Sequence, residues 1–296
     1  MQIERVILAS TLTAFLSAGM VRAQVATQHV EPPHESGQSV TAAFEGWYQN
    51  PDGSANLLVG YYNRNQKETL DIPIGPNNRI DPGGPDRGQP THFLPGRQWG
   101  VFAITVPKDF GADKKITWTI VANGKTTAVP VSLNPLWVIS PFKDASGNTP
   151  PFLGFQEAGP FLQGPPRGLS NSLTAAVNEP LPLTVWVADD ANVPPTFAAF
   201  AKALPAVTVS WTKLRGPGEV TFANPKPKVD KTEFKAPPPA TYTGKSSTTA
   251  TFSEPGDYIL EVTANDFSGV GGGGFQCCWT SAPVKVTVRS AAATGR

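Results

Sequence analysis

Residues 115–122 read Lys-Ile-Thr-Trp-Thr-Ile-Val-Ala, and the next two are Asn123 and Gly124. Ile116, Trp118 and Ile120 recur at every second position, with Thr117, Thr119 and Val121 between them. A strand with one face in a core has that period, whereas a helix would scatter these side chains around its axis. Asn-Gly tolerates φ > 0 in a tight turn, so the chain reverses there into Thr126–Leu133.

The same texture extends outward in both directions. Val40–Tyr48, Asn56–Asn63, Thr69–Ile74 and Trp99–Val106 are short apolar runs between turn residues, and Asn50-Pro51-Asp52-Gly53 folds the first two into a second hairpin. The 296 residues include 31 prolines and 28 glycines, a share well above the usual roughly 12%. A mostly helical fold is excluded. Charged residues are 16% of the chain against a typical value of about 25%, and the net charge is +1. No electrostatic footprint for nucleic acid is present, and 40% hydrophobic residues exclude a disordered chain. The expectation is an all-β protein of two antiparallel sandwiches, the first over 40–139.

Residues 1–23 read as a signal peptide: one basic residue in Met1–Arg5, a diluted apolar stretch over Val6–Val21, and small-x-small at Val21-Arg22-Ala23. The stretch is too short and too polar to anchor in a bilayer about 30 Å thick. A flexible mature N-terminus over 24–39 and a tail over 290–296 bracket the sandwiches, with no membrane span in the mature chain. Removing Glu4, Arg5 and Arg22 with the leader leaves acids and bases balanced. The expected location is secreted or periplasmic.

One connection in the first sandwich stands out. Asn77–Gln98 carries Arg79, Asp81, Asp86, Arg87, His92 and Arg97 among four prolines, and long structureless loops in compact domains are functional or mobile. It reads either as a solvated edge cover or as a binding lip. In the second reading Arg87 and His92 join Trp47, Tyr48, Tyr62 and Trp99 in a surface for a sugar or peptide. Tyr61 and Tyr62 are neighbours on a strand, so one of them must leave the core. Residues 140–180 are dense in Pro and Gly yet hold Phe142, Phe152, Leu153, Phe155, Phe161 and Leu162. A solvated linker would not carry them, and an extended strap packed on or between the sandwiches is expected.

The second sandwich, 181–289, carries a resemblance. Leu181–Asp190 (LPLTVWVADD), Val207–Phe222 (VTVSWTKLRGPGEVTF), Thr248–Asp266 (TTATFSEPGDYILEVTAND) and Val284–Val288 (VKVTV) follow one another in an order that resembles a PKD-type domain. Its most specific piece is Pro255-Gly256-Asp257-Tyr258 with Trp211 in a preceding strand. The resemblance implies an Ig-like sandwich in an exported or surface protein, serving in binding, adhesion or presentation, and mainly without catalysis. Tyr258 is placed for a tyrosine corner.

In Ig order, 181–190 is strand B, 207–214 strand C, 258–265 strand F and 284–288 strand G, so the B–C and F–G connections share one pole. The first holds Asp189, Asp190 and a short amphipathic helix, with Phe197, Phe200, Ala201 and Leu204 on one face behind Thr196. The second holds Asn265, Asp266, Val270, four glycines and Phe275-Gln276-Cys277-Cys278-Trp279. Asp189, Asp190, Asn265 and Asp266 are candidate oxygen ligands for calcium; the alternative is that they cap turns at strand ends. Adjacent Cys277 and Cys278 cannot close a long loop. They form a vicinal disulfide, stay as two thiols, or bond to a metal or a second chain.

The chain has three histidines, no Gly-x-Ser-x-Gly elbow and no zinc-ligand spacing. The function expected is a non-catalytic binding, adhesion or scaffold protein whose partner is a protein or polysaccharide of the envelope. The alternative is a glycan-binding or glycan-active protein using the aromatics of the first sandwich.

Overall fold

The computed structural model describes residues 34–195, 198–201, 204–269 and 277–290. The expected signal peptide, Thr196, Phe197, the glycine run and most of the tail lie outside the described residues, and so does the side chain of Phe200.

Eight strands build the first sandwich: β1 (Val40–Gln49), β2 (Ala55–Asn63), β3 (Leu70–Asp71), β4 (Asn78–Asp81), β5 (His92–Phe93), β6 (Gly96–Val106), β7 (Ile116–Ala122) and β8 (Lys125–Val131). One sheet runs β1-β2-β6 and the facing one β4-β7-β8, while β3 and β5 form a two-stranded ribbon. Ile116, Trp118 and Ile120 enter the core, where Leu57, Val59, Tyr61, Phe93 and Ile104 meet them. Tyr61 is 2% exposed and Tyr62 42%, so of this neighbouring pair it is Tyr62 that leaves the core.

The stretch 77–98, expected as a structureless loop, contains β4 and β5. Asn78 is the reason that its pattern misleads. Its side chain points into the core and is fully satisfied there: Nδ2 donates to the carbonyls of Ile72 (2.9 Å) and Pro90 (2.8 Å), and Oδ1 accepts from Trp118 Nε1 (2.9 Å). A polar residue takes an inward position, so alternation of apolar residues does not reveal the strand.

The second sandwich begins earlier than residue 181. β9 (Phe152–Gly154), β10 (Phe161–Gln163) and β11 (Asn171–Ala176) come from the expected strap; β12 (Leu181–Asp189), the helical turn α1 (Ala198–Ala201), β13 (Thr208–Arg215), β14 (Val220–Phe222), β15 (Val229–Lys231), β16 (Tyr242–Phe252), β17 (Gly256–Asn265) and β18 (Trp279–Arg289) follow. One sheet is β10-β9-β12-β16-β14, with β15 also on β16, and the other is β11-β18-β17-β13. Pairing is antiparallel except for β11 on β18. This is an Ig-like order, with β12, β13, β17 and β18 in the places of strands B, C, F and G. Leu153 of β9 is completely buried beside Val185, Val187 and Phe252. β9 and β10 have three residues each, too short to show a period, and β11 is mostly polar or small, so among Pro and Gly all three read as strap.

Tyr258 makes the corner. Its hydroxyl donates to the Glu254 carbonyl (2.9 Å) and accepts from the Gly218 N–H (3.1 Å), and the side chain is fully buried. Among the described residues no helix is long and apolar enough to cross a membrane.

The two sandwiches share an interface. A bulge in β13 between Lys213 and Arg215 turns Leu214 out of its own sandwich into the core of the first, where Ile259 also packs. Thr91 N–H donates to the Leu214 carbonyl (3.0 Å), and Arg215 grips Asp86 through both terminal nitrogens (2.7 and 3.0 Å) while its Nε donates to the Gln89 carbonyl. Trp279 closes the contact against Gly100.

Candidate functional site

The B–C and F–G ends of the second sandwich meet a third partner that the sequence does not advertise, the loop 144–149. Asp144 Oδ1 accepts from the backbone N–H of Ser146 and Asn148, a turn that presents Asn148 inward at 1% exposure. Asn148 Nδ2 donates to Asp266 Oδ2, and the Asn148 carbonyl lies 3.5 Å from Cys278 Sγ and 3.9 Å from Cys277 Sγ. Thr149 Oγ1 donates to Asp190 Oδ2 (2.8 Å). Asn148 therefore stands at the centre of Asp266 and the cysteine pair. A Pro-flanked loop far from both in sequence gives no signal for this; its Asp144-x-Ser146 turn is the nearest thing to one.

Cys277 and Cys278 are joined as a disulfide, with a cis peptide between them, and are 4% and 1% exposed. Trp279 follows directly, so the ring sits at the head of the strand that anchors the first sandwich. Thr280 Oγ1 donates to the Pro151 carbonyl and accepts from Gly164 N–H (2.9 Å), tying the same strand to both ends of the β9–β10 hairpin.

The aspartates act as turn caps. Asp189 Oδ2 accepts from Ala191 N–H (2.9 Å), Asp190 Oδ1 from Asn192 N–H (2.9 Å) and Asp266 Oδ1 from Ser268 N–H (2.8 Å). Both oxygens of Asp190 and of Asp266 are engaged. Among the described residues no three His, Cys, Asp or Glu side chains are grouped to hold a metal ion. Backbone donors at strand ends engage one oxygen each of Asp189, Asp190 and Asp266, as the turn-cap alternative to calcium binding expects, while Asn265 takes no such donor on its Oδ1. Asp189 Oδ1, Asn265 Oδ1 and Asn148 Oδ1 remain buried without a partner. Burial pushes the Asp189 carboxyl up to about 7, with Asp266 and Asp190 adding to the shift against the Ala191 hydrogen bond, and burial raises Asp266 as well.

The six residues proposed as a ligand surface on the first sandwich do not share one. Tyr48 is 4% exposed and its hydroxyl accepts from Asn56 Nδ2 (3.0 Å); His92 is 9% exposed and bonded to Asp71 (2.8 Å). Both are core-edge residues. Trp47 donates through Nε1 to the Asn134 carbonyl, and Trp99 lies under the Arg97 guanidinium at 3.9 Å. Arg87 donates to the Thr105 carbonyl. Tyr62 faces solvent, but register places it five residues along β2 from the partner of Trp47, roughly 17 Å away. The exposed aromatic that sequence reasoning missed is Trp137, half-exposed between Leu136 and Val138 on a 3-10 turn, packed on Phe44 at 5.6 Å.

No family model matches the chain, and no curated protein matches it. Among solved structures it is similar to the D00-D0 domain of intimin (10% identity, TM-score 0.24, 85% of this chain and 100% of that one). It is similar also to domains 4 and 5 of the S-layer protein SbsC (9%, 0.23, 84% and 98%) and to the titin Ig tandem A164-A165 (13%, 0.20, 86% and 100%). The Ig-like assignment stands on the strand order of the second sandwich itself.

Proposed function

We propose that this chain is an exported, non-catalytic binding or scaffold protein of the cell envelope or extracellular space, with a PKD-like second domain. The observation that carries the reading is the interlock between the sandwiches. Leu214 of one sits in the core of the other, Arg215 holds Asp86 with two hydrogen bonds, and Trp279 packs on Gly100. Such an interface holds two β-layered modules in one orientation, which suits the presentation of surfaces at a distance. The export leader read from residues 1–23 supplies the compartment, and a disulfide belongs to an oxidising one.

Cell fractionation combined with co-sedimentation tests this. The full chain, expressed with its own N-terminus, is expected outside the cytoplasm with its leader removed, and the purified product is expected to sediment saturably with washed envelopes. Retention of an uncleaved chain in the cytoplasm would overturn the proposal.

A further inference from the structure

The outer face of the second sandwich carries a groove unconnected with the disulfide pole. β14 and β15 both pair with the same edge of β16, and the chain between them swings out as a wall. The wall is fixed: Asn224 N–H donates to Thr248 Oγ1 (3.1 Å), Ser246 Oγ donates to the carbonyl of Lys228 (3.0 Å), and Trp211 N–H to that of Pro225 (2.8 Å). The groove is open to solvent and has a volume of about 380 Å³, within the roughly 300–1,000 Å³ of small-ligand sites.

Strand register says what lines it. Trp186 of β12 pairs with Lys245 of β16, which pairs with Asp230 of β15, so these three side chains stand in one row across the outer face. The next row holds Thr184 and Ser247, hydrogen-bonded at 3.0 Å, with Lys228 beyond. Lys245 Nζ lies over the Trp186 indole on the β12 side at 5.1 Å, which restrains the long stem that lines the groove. Lys228 pairs with Asp230 at 3.0 Å. Asn224 and Thr232 complete the polar lining.

The geometry points to a binding site for an acidic saccharide, a pyranose chain bearing carboxylate or sulfate groups. Two ammonium groups against one carboxylate leave an excess positive charge that calls for an anion. Asp230, Ser247, Thr232 and Asn224 add carboxylate, hydroxyl and amide groups to the lining, which suit the ring hydroxyls of a saccharide. The inference rests on the reading of an exported binding protein and moves the glycan function from the aromatics of the first sandwich to this groove.

Titration calorimetry of the full chain tests it, with tetragalacturonate and a sulfated galactose tetramer as acidic arms, and a neutral galactose tetramer and tetraglutamate as controls. Saturable binding of at least one acidic arm is expected, weakening as salt rises, with the neutral tetramer bound at least tenfold more weakly. Lys245→Gln and Lys228→Gln should each lower the affinity about tenfold. Both side chains are exposed, and unchanged melting temperatures confirm that the variants fold. Which acidic arm binds identifies the anion. Failure of both arms, indifference to the two substitutions, or equal binding of tetraglutamate overturns the site. Fractionation is read separately, so an exported protein that ignores both acidic arms refutes this inference alone.

Discussion

Trp279 of the second sandwich lies so close to Gly100 of the first that a Cβ on Gly100 would stand 2.7 Å from its Cζ2. Gly100 also has φ +53° and donates its N–H to both oxygens of buried Glu45. Gly100→Ala combines a left-handed backbone with a collision against a ring that the interface holds in place. A loss of about 1–3 kcal/mol is expected by denaturant unfolding. Adding Trp279→Ala should recover the steric part of that loss, and a double variant showing the full sum of both single losses would refute the contact.

Arg215 and Asp86 are coupled across the same interface. The Arg215 hydrogen bonds hold the Asp86 carboxyl below its usual range despite some burial. A depressed carboxylate stabilises the fold above its unfolded pKa, and that contribution is lost as pH falls through the folded value. Asp86 is half exposed, so solvent screening limits the coupling to about 0.5–1 kcal/mol in a double-mutant cycle. The coupling should fade with acidification below about pH 4. A pH-independent coupling would contradict this account.

Asp189 has the opposite sign. Its folded carboxyl titrates at about 7 and an unfolded one near 3.8, so the folded state binds the extra proton between those values. Stability from this group is present at low pH and is lost as pH rises from about 4 through 7. Asp189→Asn keeps an acceptor for Ala191 and removes the charge. The variant should gain on the parent protein progressively above pH 5, by on the order of 2–4 kcal/mol at pH 8. Parallel melting curves across that range would refute it. Calcium and chelator should give the same midpoint in the parent protein, since the neighbouring carboxylates already serve as caps.

Tyr258→Phe removes the hydroxyl that bridges Gly218 and Glu254 and leaves a buried N–H without an acceptor. The expected cost is about 1–3 kcal/mol by thermal unfolding, with the fold retained. A variant as stable as the parent would mean that the corner contributes nothing.

Alkylation without reductant should leave Cys277 and Cys278 unmodified, and the intact mass should be two hydrogens below the dithiol form. Two alkyl groups on the native protein would eliminate the ring.

Residues 116–120 carried enough alternation to define a strand, the Asn123-Gly124 turn to define a hairpin, and Pro255-Gly256-Asp257-Tyr258 to place a corner, because period and turn chemistry are local properties of the chain. β4, β9, β10 and β11 were not legible. Asn78 breaks the apolar pattern and is satisfied only by Ile72, Pro90 and Trp118, while β9 and β11 acquire their hydrogen bonds from β12 and β18, which lie far away in sequence.

The sequence by itself settled the class of the fold, the places of strands B, C, F and G in the second sandwich and the peculiarity of adjacent cysteines. Tertiary structure decided that Asn148 stands between the disulfide and Asp266, that Leu214 crosses into the neighbouring core, and that Lys245 and Asp230 share one face. Those relations depend on which distant segments pack together. The balance of burial and hydrogen-bond satisfaction over the whole chain sets that packing, and no local pattern records it.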